Sequence, residues 1–272
     1  MWRLKAWLYG LRTPRGWYGT LHVCLLEIGF VPRPADPCFY ILGAGKVLIA
    51  VYVDDIELSG SDEEYALTII EQLKERSGTL DLGDTKFLIG LGSQRNVNAG
   101  TIVLTQNAYA KAVLDKFGMA DARPAKTPAE AGPIRIEEEE ILSPEDTTFF
   151  RSVTGSLLYL SRCTRPNTTH SVMVLTRSMS KPGPRAMSNL KRVLRYLTGT
   201  VSIGITYSED AVNGDHLTAY VDSDHTGVQD KGYSAIGVVL HIVGGPVDCR
   251  STKKTVVATS TVRPNTPCPS CV

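Results

Sequence analysis

Residues 46–58 constrain the fold of this 272-residue chain more than any other stretch. Residues 47–53 form a nearly continuous row of aliphatic and aromatic side chains, which predicts a buried strand because valine, isoleucine and tyrosine favour extended backbone. Two aspartates, Asp54 and Asp55, follow directly, and residues 56–58 begin a second short apolar run. The pattern predicts a β-hairpin that carries two adjacent carboxylates at or near its tip.

The two aspartates are candidate metal ligands. Neighbouring carboxylates repel each other unless a cation neutralises them. A hard divalent ion with oxygen ligands, Mg²⁺ above all, meets that need. A second interpretation stays open, because aspartate is a common turn residue and the pair is also consistent with a polar turn between two strands.

Helical and extended patterns occur together along the chain and predict an α+β fold. Apolar residues recur at helical spacing in four stretches, and a glycine that can end a helix follows each one. In the second stretch Ser61 and Glu64 have the spacing of a capping box. The predicted helices cover residues 18–28, 61–77, 106–117 and 187–198 within a generally helical region, 149–200. Further strands are predicted at residues 38–42, 86–91, 101–104, 203–207, 217–221 and 234–243.

Composition limits the class of protein. The chain is 43% hydrophobic with a net charge of +1, which fits a globular protein with a core and does not indicate a strong nucleic-acid binder. No apolar run approaches the roughly 18 residues of a membrane span, and no signal peptide is visible after Met1. The six cysteines are scattered, which favours a reducing compartment.

Several boxes of residues stand in a fixed order along the chain. They are Leu8-Tyr9-Gly10-Leu11-Arg12, Pro14-Arg15, Trp17-Tyr18, Asp36-Pro37-Cys38-Phe39-Tyr40, Tyr52-Val53-Asp54-Asp55, Arg151-Ser152-Val153-Thr154-Gly155-Ser156-Leu157-Leu158-Tyr159-Leu160, Thr164-Arg165-Pro166-Asn167 and the block 191–200. Over residues 2–261 the chain therefore resembles the reverse transcriptases of copia-type LTR retrotransposons. The resemblance implies a palm and thumb remnant (1–120), a linker (121–146), a helical connection (147–200) and a truncated ribonuclease H-like α/β domain with an aberrant tail (201–272).

The resemblance also implies a chemistry. In this family RNA-directed DNA synthesis proceeds by two-metal nucleotidyl transfer, with an RNA template, a DNA primer and deoxynucleoside triphosphates as partners. Asp54 and Asp55 would then be catalytic ligands of Mg²⁺. Asp222 matches the first catalytic and metal-binding carboxylate of ribonuclease H, although an aspartate at a strand end is the plainer interpretation. The family is intracellular, in cytoplasmic particles or the nucleus.

Three departures from the family pattern lead us to expect that the isolated chain is inactive. Thr13 stands alone where the family has two residues, which shortens a loop beside the incoming nucleotide. Val262 stands where the family has the second ribonuclease H carboxylate, a glutamate. The third polymerase carboxylate of the family precedes the segment at which this chain begins.

Two alternatives to a polymerase fragment remain open. A nucleic-acid-binding module without catalysis would use a basic face made of Lys181, Arg185, Lys191, Arg192 and Arg195. Of these, Lys191, Arg192 and Arg195 lie beside the apolar seam of a predicted helix and are placed to contact phosphates. Plain solvated charge on an amphipathic helix explains these residues equally well. The other alternative is a reading frame without a stable product.

Overall fold

A computed structural model describes residues 15–130, 140–211, 217–228 and 233–257. The predicted features at residues 3–13, 137–139 and 258–272, which include Thr13 and Val262, lie outside the described residues. The chain divides into two compact units, residues 1–85 and 86–272. Helices and antiparallel sheets occur together, so the α+β prediction is confirmed.

Residues 15–85 of the first unit form a four-stranded antiparallel sheet with two α-helices. Its strands follow one another in the order β1-β2-β3-β4. The elements are α1 (Arg15–Ile28), β1 (Val31–Arg33), β2 (Asp36–Leu42), a 3₁₀ turn (Gly43–Gly45), β3 (Val47–Tyr52), β4 (Asp55–Gly60) and α2 (Glu63–Ser77).

Both helices pack on one face of this sheet. The strand β3 alternates as a two-sided strand should: Val47, Ile49 and Val51 are buried, whereas Ala50 and Tyr52 are exposed. The buried side chains join a core with residues from both helices: Leu21, Cys24, Leu25, Phe30, Tyr40, Leu42, Val47, Ile49, Val51, Ile69 and Leu73.

The predicted capping box at the start of α2 is wrong. Asp62 is the capping residue, because its side chain accepts a hydrogen bond from the Tyr65 amide at 3.1 Å. Ser61 does not cap the helix, since its hydroxyl and its amide both donate to the Lys46 carbonyl, at 3.5 and 3.0 Å. The predicted end of the helix is confirmed, with Gly78 in the left-handed region at φ 67°, where a residue without Cβ fits best.

The described part of the second unit combines four α-helices with two sheets. Its elements are β5 (Phe87–Leu88), β6 (Leu91–Asn96), β7 (Thr101–Thr105), α3 (Asn107–Lys116), α4 (Pro144–Cys163), a 3₁₀ turn (Pro166–Thr168), α5 (Thr169–Arg177), α6 (Pro184–Thr198), β8 (Ile205–Ser208), a 3₁₀ turn (Glu209–Ala211), β9 (Leu217–Val228), β10 (Tyr233–Ile242) and β11 (Gly245–Val257).

The helical core of this unit confirms the prediction for residues 149–200. Leu190, Leu194 and Leu197 form the buried seam of α6, and Met187 is half-buried at its start. The seam packs into a cluster drawn from all four helices: Ala110, Val113, Leu114, Phe150, Val153, Leu157, Leu160, Val172, Leu175, Leu190, Val193, Leu194 and Leu197.

Two strand predictions in this unit are corrected. The stretch 86–91 is not one strand, because Ile89 and Gly90 both have positive φ and turn the chain between β5 and β6, as in a two-residue hairpin loop. The strand at 205–208 pairs with β7 in the sheet β5-β6-β7-β8 and does not belong to the C-terminal sheet. Gly204 lies so close to the Leu104 carbonyl that a Cβ would stand 2.3 Å from its oxygen.

The C-terminal sheet contains β9, β10 and β11 in the order β11-β10-β9. All its pairings are antiparallel, with Val238 opposite both Val221 and Arg250. The predicted strands at 217–221 and 234–243 are therefore confirmed, although β9 extends seven residues further than expected. None of the helices in the described ranges is long and apolar enough to cross a bilayer.

Candidate functional site

The hairpin that carries the two aspartates has the predicted form. Tyr52 and Asp55 are the last paired residues of β3 and β4, so the loop between them contains only Val53 and Asp54. Asp54 lies in the loop and Asp55 begins β4, and both residues are exposed. The shape follows from the two apolar runs on either side, whose pairing leaves the polar pair at the end of the ladder.

The loop of this hairpin is strained at Val53. Its φ is 54°, a left-handed value that is unfavourable for a β-branched residue. A two-residue loop with positive φ at its first position favours glycine there. Such strain, typically about 1–3 kcal/mol, persists only where the surrounding structure imposes it, and it concentrates at functional sites.

Asp55 lies on the sheet face that α1 and α2 do not cover. Cross-strand partners share a face of a sheet, and Asp55 is opposite the exposed Tyr52. Ala50 and Glu57 form another pair on this face. Ala50, Tyr52 and Asp55 are exposed on this face, whereas Glu57 is half-buried.

Asp54 and Asp55 stay candidate metal ligands, and the described residues do not complete a metal site around them. Asp54 and Asp55 supply carboxylate oxygens, the donors that Mg²⁺ prefers. The next carboxylate along β4, Glu57, accepts a hydrogen bond from Thr85 Oγ1 at 2.6 Å. Throughout the described ranges no three or more histidine, cysteine or acidic side chains are grouped so that they could hold a metal. The remaining ligands would have to be water, substrate or groups outside these residues.

Asp222 lies in the second compact unit, on β9. It faces Gly237 of β10 and is exposed, and its Oδ1 accepts a hydrogen bond from the Ser223 amide at 2.8 Å. Because β9 continues to Val228, Asp222 is inside a strand and not at its end. Its role in ribonuclease H chemistry stays a prediction.

The three cations predicted to contact phosphates differ in their surroundings. Lys191 is exposed on α6. Arg192 donates through Nη1 to Glu130 Oε1 at 3.1 Å and through Nη2 to Thr127 Oγ1 at 3.0 Å. Arg195 donates through Nε to the Arg123 carbonyl at 2.7 Å. Sequence patterns gave no sign that the linker would occupy both arginines, because these partners are 62–72 positions away.

A buried hydroxyl cluster supports the sheet of the first unit. The Tyr40 hydroxyl, in a fully buried side chain, lies 2.8 Å from His22 Nδ1 and 3.0 Å from the Tyr18 hydroxyl, which also donates to the Pro37 carbonyl. Burial, with the Tyr18 hydrogen bond next in size, raises the pKa of Tyr40. Tyr18 and His22 are four residues apart on α1, a spacing that could have signalled a shared partner.

Arg165 is a buried cation that sequence reasoning did not single out. It is 2% exposed and donates through Nη1 and Nη2 to the Thr200 carbonyl and hydroxyl at 2.9 and 2.6 Å. Burial lowers its pKa. These bonds tie the end of α4 to the residues after α6, so Arg165 positions helices and does not face solvent.

Comparison with known proteins places these features in a wider context. Residues 1–131 match the family described as "Reverse transcriptase (RNA-dependent DNA polymerase)". The chain is 34% identical, over 95% of its length, to the retrovirus-related Pol polyprotein from transposon RE1 of Arabidopsis thaliana. It is 29% identical, again over 95%, to the corresponding polyprotein from transposon TNT 1-94 of Nicotiana tabacum.

The chain is much shorter than these polyproteins and spans 18% and 20% of their lengths. It is also 31% identical, over 70% of its length, to an uncharacterized mitochondrial protein of Arabidopsis thaliana, of which it covers 76%. No solved structure matches the chain.

Proposed function

Because the chain belongs to the reverse transcriptase family found in Pol polyproteins of copia-type retrotransposons, we propose that it provides the carboxylate hairpin of an RNA-directed DNA polymerase. The proposed substrates are an RNA template, a DNA primer and deoxynucleoside triphosphates. One observation carries the proposal: Asp54 and Asp55 lie at the exposed tip of a hairpin, beside a sheet face that both helices leave open.

The residues of this hairpin have separate tasks in the proposed reaction. Asp54 and Asp55 supply oxygen ligands and negative charge. The exposed Tyr52 and Ala50 form the floor beside Asp55 over which the primer end would lie. When bound, a pair of Mg²⁺ ions stabilises the attacking and leaving oxygens of an in-line phosphoryl displacement. Two carboxylates leave most of an ion's shell to water, so we expect the 272-residue chain alone to hold Mg²⁺ weakly and not to extend a primer.

A transplant experiment tests the proposal. Residues 15–85, which contain the hairpin and α2 but not the loop at Thr13, would replace the matching segment of an active copia-type polymerase, and extension of a DNA primer on RNA would be measured. We expect extension by the chimera and a loss of about a thousandfold with Asp55→Asn, because charge stabilisation at the reacting centre is lost. Glu71→Gln, an exposed change on α2, is the matched control and should leave the rate unchanged. A folded chimera that does not extend the primer would refute the proposal.

A second function rests on α6. We propose that its cationic side binds a nucleic-acid backbone without base specificity, supported by the exposure of Lys191 next to two arginines. Phosphate contacts give a steep dependence of affinity on salt. Filter binding of the whole chain to RNA across a salt series tests this, and a flat dependence would contradict it.

For the C-terminal sheet we propose that Asp222 is one carboxylate of a ribonuclease H-like site that the described residues do not complete, since no grouped set of metal ligands occurs among them. That chemistry needs several carboxylates around two metal ions. We therefore expect no cleavage of an RNA–DNA hybrid by the 272-residue chain. Cleavage that depends on Asp222 would overturn this part of the proposal.

A further inference from the structure

We propose that Arg192 is a docking point for a nucleic-acid backbone and that residues 123–130, here called the strap, cover it until the polymer displaces them. The proposal rests on the binding function suggested for α6 and adds a partner within the chain that competes for the same side chain. Strap and α6 both lie in the second compact unit. The strap has a firm half and a weak half, which differ in what holds them.

Backbone contacts hold the firm half, residues 123–125. The Ala125 amide donates to the Arg195 carbonyl at 3.1 Å, and Arg195 Nε donates to the Arg123 carbonyl at 2.7 Å. Pro124 packs so closely on Gly199 that a Cβ at position 199 would lie 2.9 Å from the proline Cβ. The two hydrogen bonds join Arg195 to strap backbone at both ends of this half, and the tight packing adds to them. We therefore expect Arg195 to stay with the strap.

Side-chain contacts with Arg192 hold the weak half, residues 127–130. They are the ion pair with Glu130 at 3.1 Å and the hydrogen bond to Thr127 Oγ1 at 3.0 Å. The Glu130 side chain is 75% exposed, and exposed ion pairs contribute little to stability. A phosphate binds guanidinium groups with two parallel hydrogen bonds, so it can replace both contacts at once.

Charge repulsion favours displacement of residues 127–130 by the nucleic acid over binding of both to α6 at the same time. Glu130 Oε1 lies 3.1 Å from Arg192 Nη1. While residues 127–130 are in place, this carboxylate opposes the approach of a phosphate to the same guanidinium. Release of residues 127–130 frees Arg192 beside the exposed Lys191 and removes Glu130 from the surface. The strap is thus an intramolecular competitor whose effective concentration is high.

The first test measures binding of the whole chain to a single-stranded RNA oligonucleotide by filter retention. Glu130→Gln removes the acidic competitor and should tighten binding by up to about fivefold, the most that release of one exposed ion pair allows. Glu71→Gln is the matched control, because it removes the same charge and frees Lys74 from an exposed pair on α2. It should change affinity by less than about twofold.

Equal affinities for the two variants would refute the strap and leave the binding function intact. Absence of RNA binding in every variant at low salt would refute both. Both substitutions are on exposed side chains, so the variants are expected to fold.

The second test follows the strap directly by limited trypsin digestion. Trypsin cleaves after Lys126, an exposed residue between the two halves, and mass spectrometry identifies the fragments. If RNA displaces residues 127–130, adding RNA to the wild-type chain should speed this cleavage, and Glu130→Gln should speed it without RNA. Slower cleavage in the presence of RNA would mean that the strap is part of the binding surface, and an unchanged rate would mean that RNA leaves it in place. Either result would overturn the proposal.

Discussion

The aspartate hairpin and the cationic face of α6 (Lys191, Arg192 and Arg195) differ in which residues determine the surroundings of their charged side chains. At the hairpin, residues 47–60 alone decide the outcome, since the two apolar runs pair and expose Asp54 and Asp55. On α6 the helix itself forms as its seam predicts, yet Arg192 and Arg195 are held by residues of the linker. The local sequence pattern therefore predicts well on which element a charged residue lies, and it predicts poorly what its side chain contacts.

The largest expected effect concerns the seam that orients α6. Leu190 is fully buried in the helical core, so Leu190→Ala should lower the free energy of unfolding by about 2–5 kcal/mol. The neighbouring Lys191→Ala, on the exposed side, should change it by less than about 0.5 kcal/mol. Urea denaturation of both variants measures the difference. Equal losses of unfolding free energy in the two variants would mean that the buried seam does not orient the cationic face of α6.

A smaller effect on stability is expected from the hydroxyl of Tyr40, in the core of the first unit. Tyr40→Phe removes the hydroxyl that joins Tyr18 and His22 and should cost about 1–2 kcal/mol. The pKa of Tyr40 is raised by burial, so the folded chain keeps this proton above pH 10, where an unfolded tyrosine loses it. This contribution to stability is therefore complete below about pH 10 and declines as the pH rises further.

Alkaline denaturation curves of the wild type and of Tyr40→Phe test this direction of the pH dependence. Between pH 10 and pH 12 the wild type should lose more stability than Tyr40→Phe, because only the wild type has the raised tyrosine pKa at this position. If the two denaturation curves run parallel, a group other than Tyr40 causes the loss of stability at high pH.

The smallest effect concerns the strained loop. Val53→Gly removes the left-handed strain at φ 54° and should raise stability by about 0.5–1 kcal/mol, even after the greater freedom of glycine in the unfolded chain is counted. Val31→Gly, an exposed valine in the ordinary strand β1, should lower it by a similar amount. A loss at both positions would mean that the loop is not strained.

Much of the fold could be predicted from the sequence because its signals are local. Apolar spacing identified α1, α2, α3 and α6, and glycine marked where α2 ends. The longest helix, α4, was predicted only as part of the helical region 149–200. The errors have non-local or finer causes: β8 pairs with β7 and not with its neighbours in sequence, and Asp62 replaces Ser61 as the cap because Ser61 stays bonded to Lys46.

The features of the candidate site also differ in how far the sequence predicts them. The aspartate pair was predictable from residue type and position, whereas the strap across Arg192 and the buried Arg165 depend on segments distant in sequence. Roles in catalysis, including that of Asp222, follow from family resemblance and stay predictions. The boundaries of the palm, thumb and connection subdomains likewise remain predictions.

Titration of Mg²⁺ into the whole chain by calorimetry tests the central claim most directly. We predict weak binding, with a dissociation constant on the order of a millimolar because two exposed carboxylates supply few of the ion's ligands. Binding should disappear when Asp54→Asn and Asp55→Asn are combined, and Glu71→Gln should leave it unchanged. Tight, stoichiometric binding that survives the double substitution would place the metal elsewhere and contradict the account.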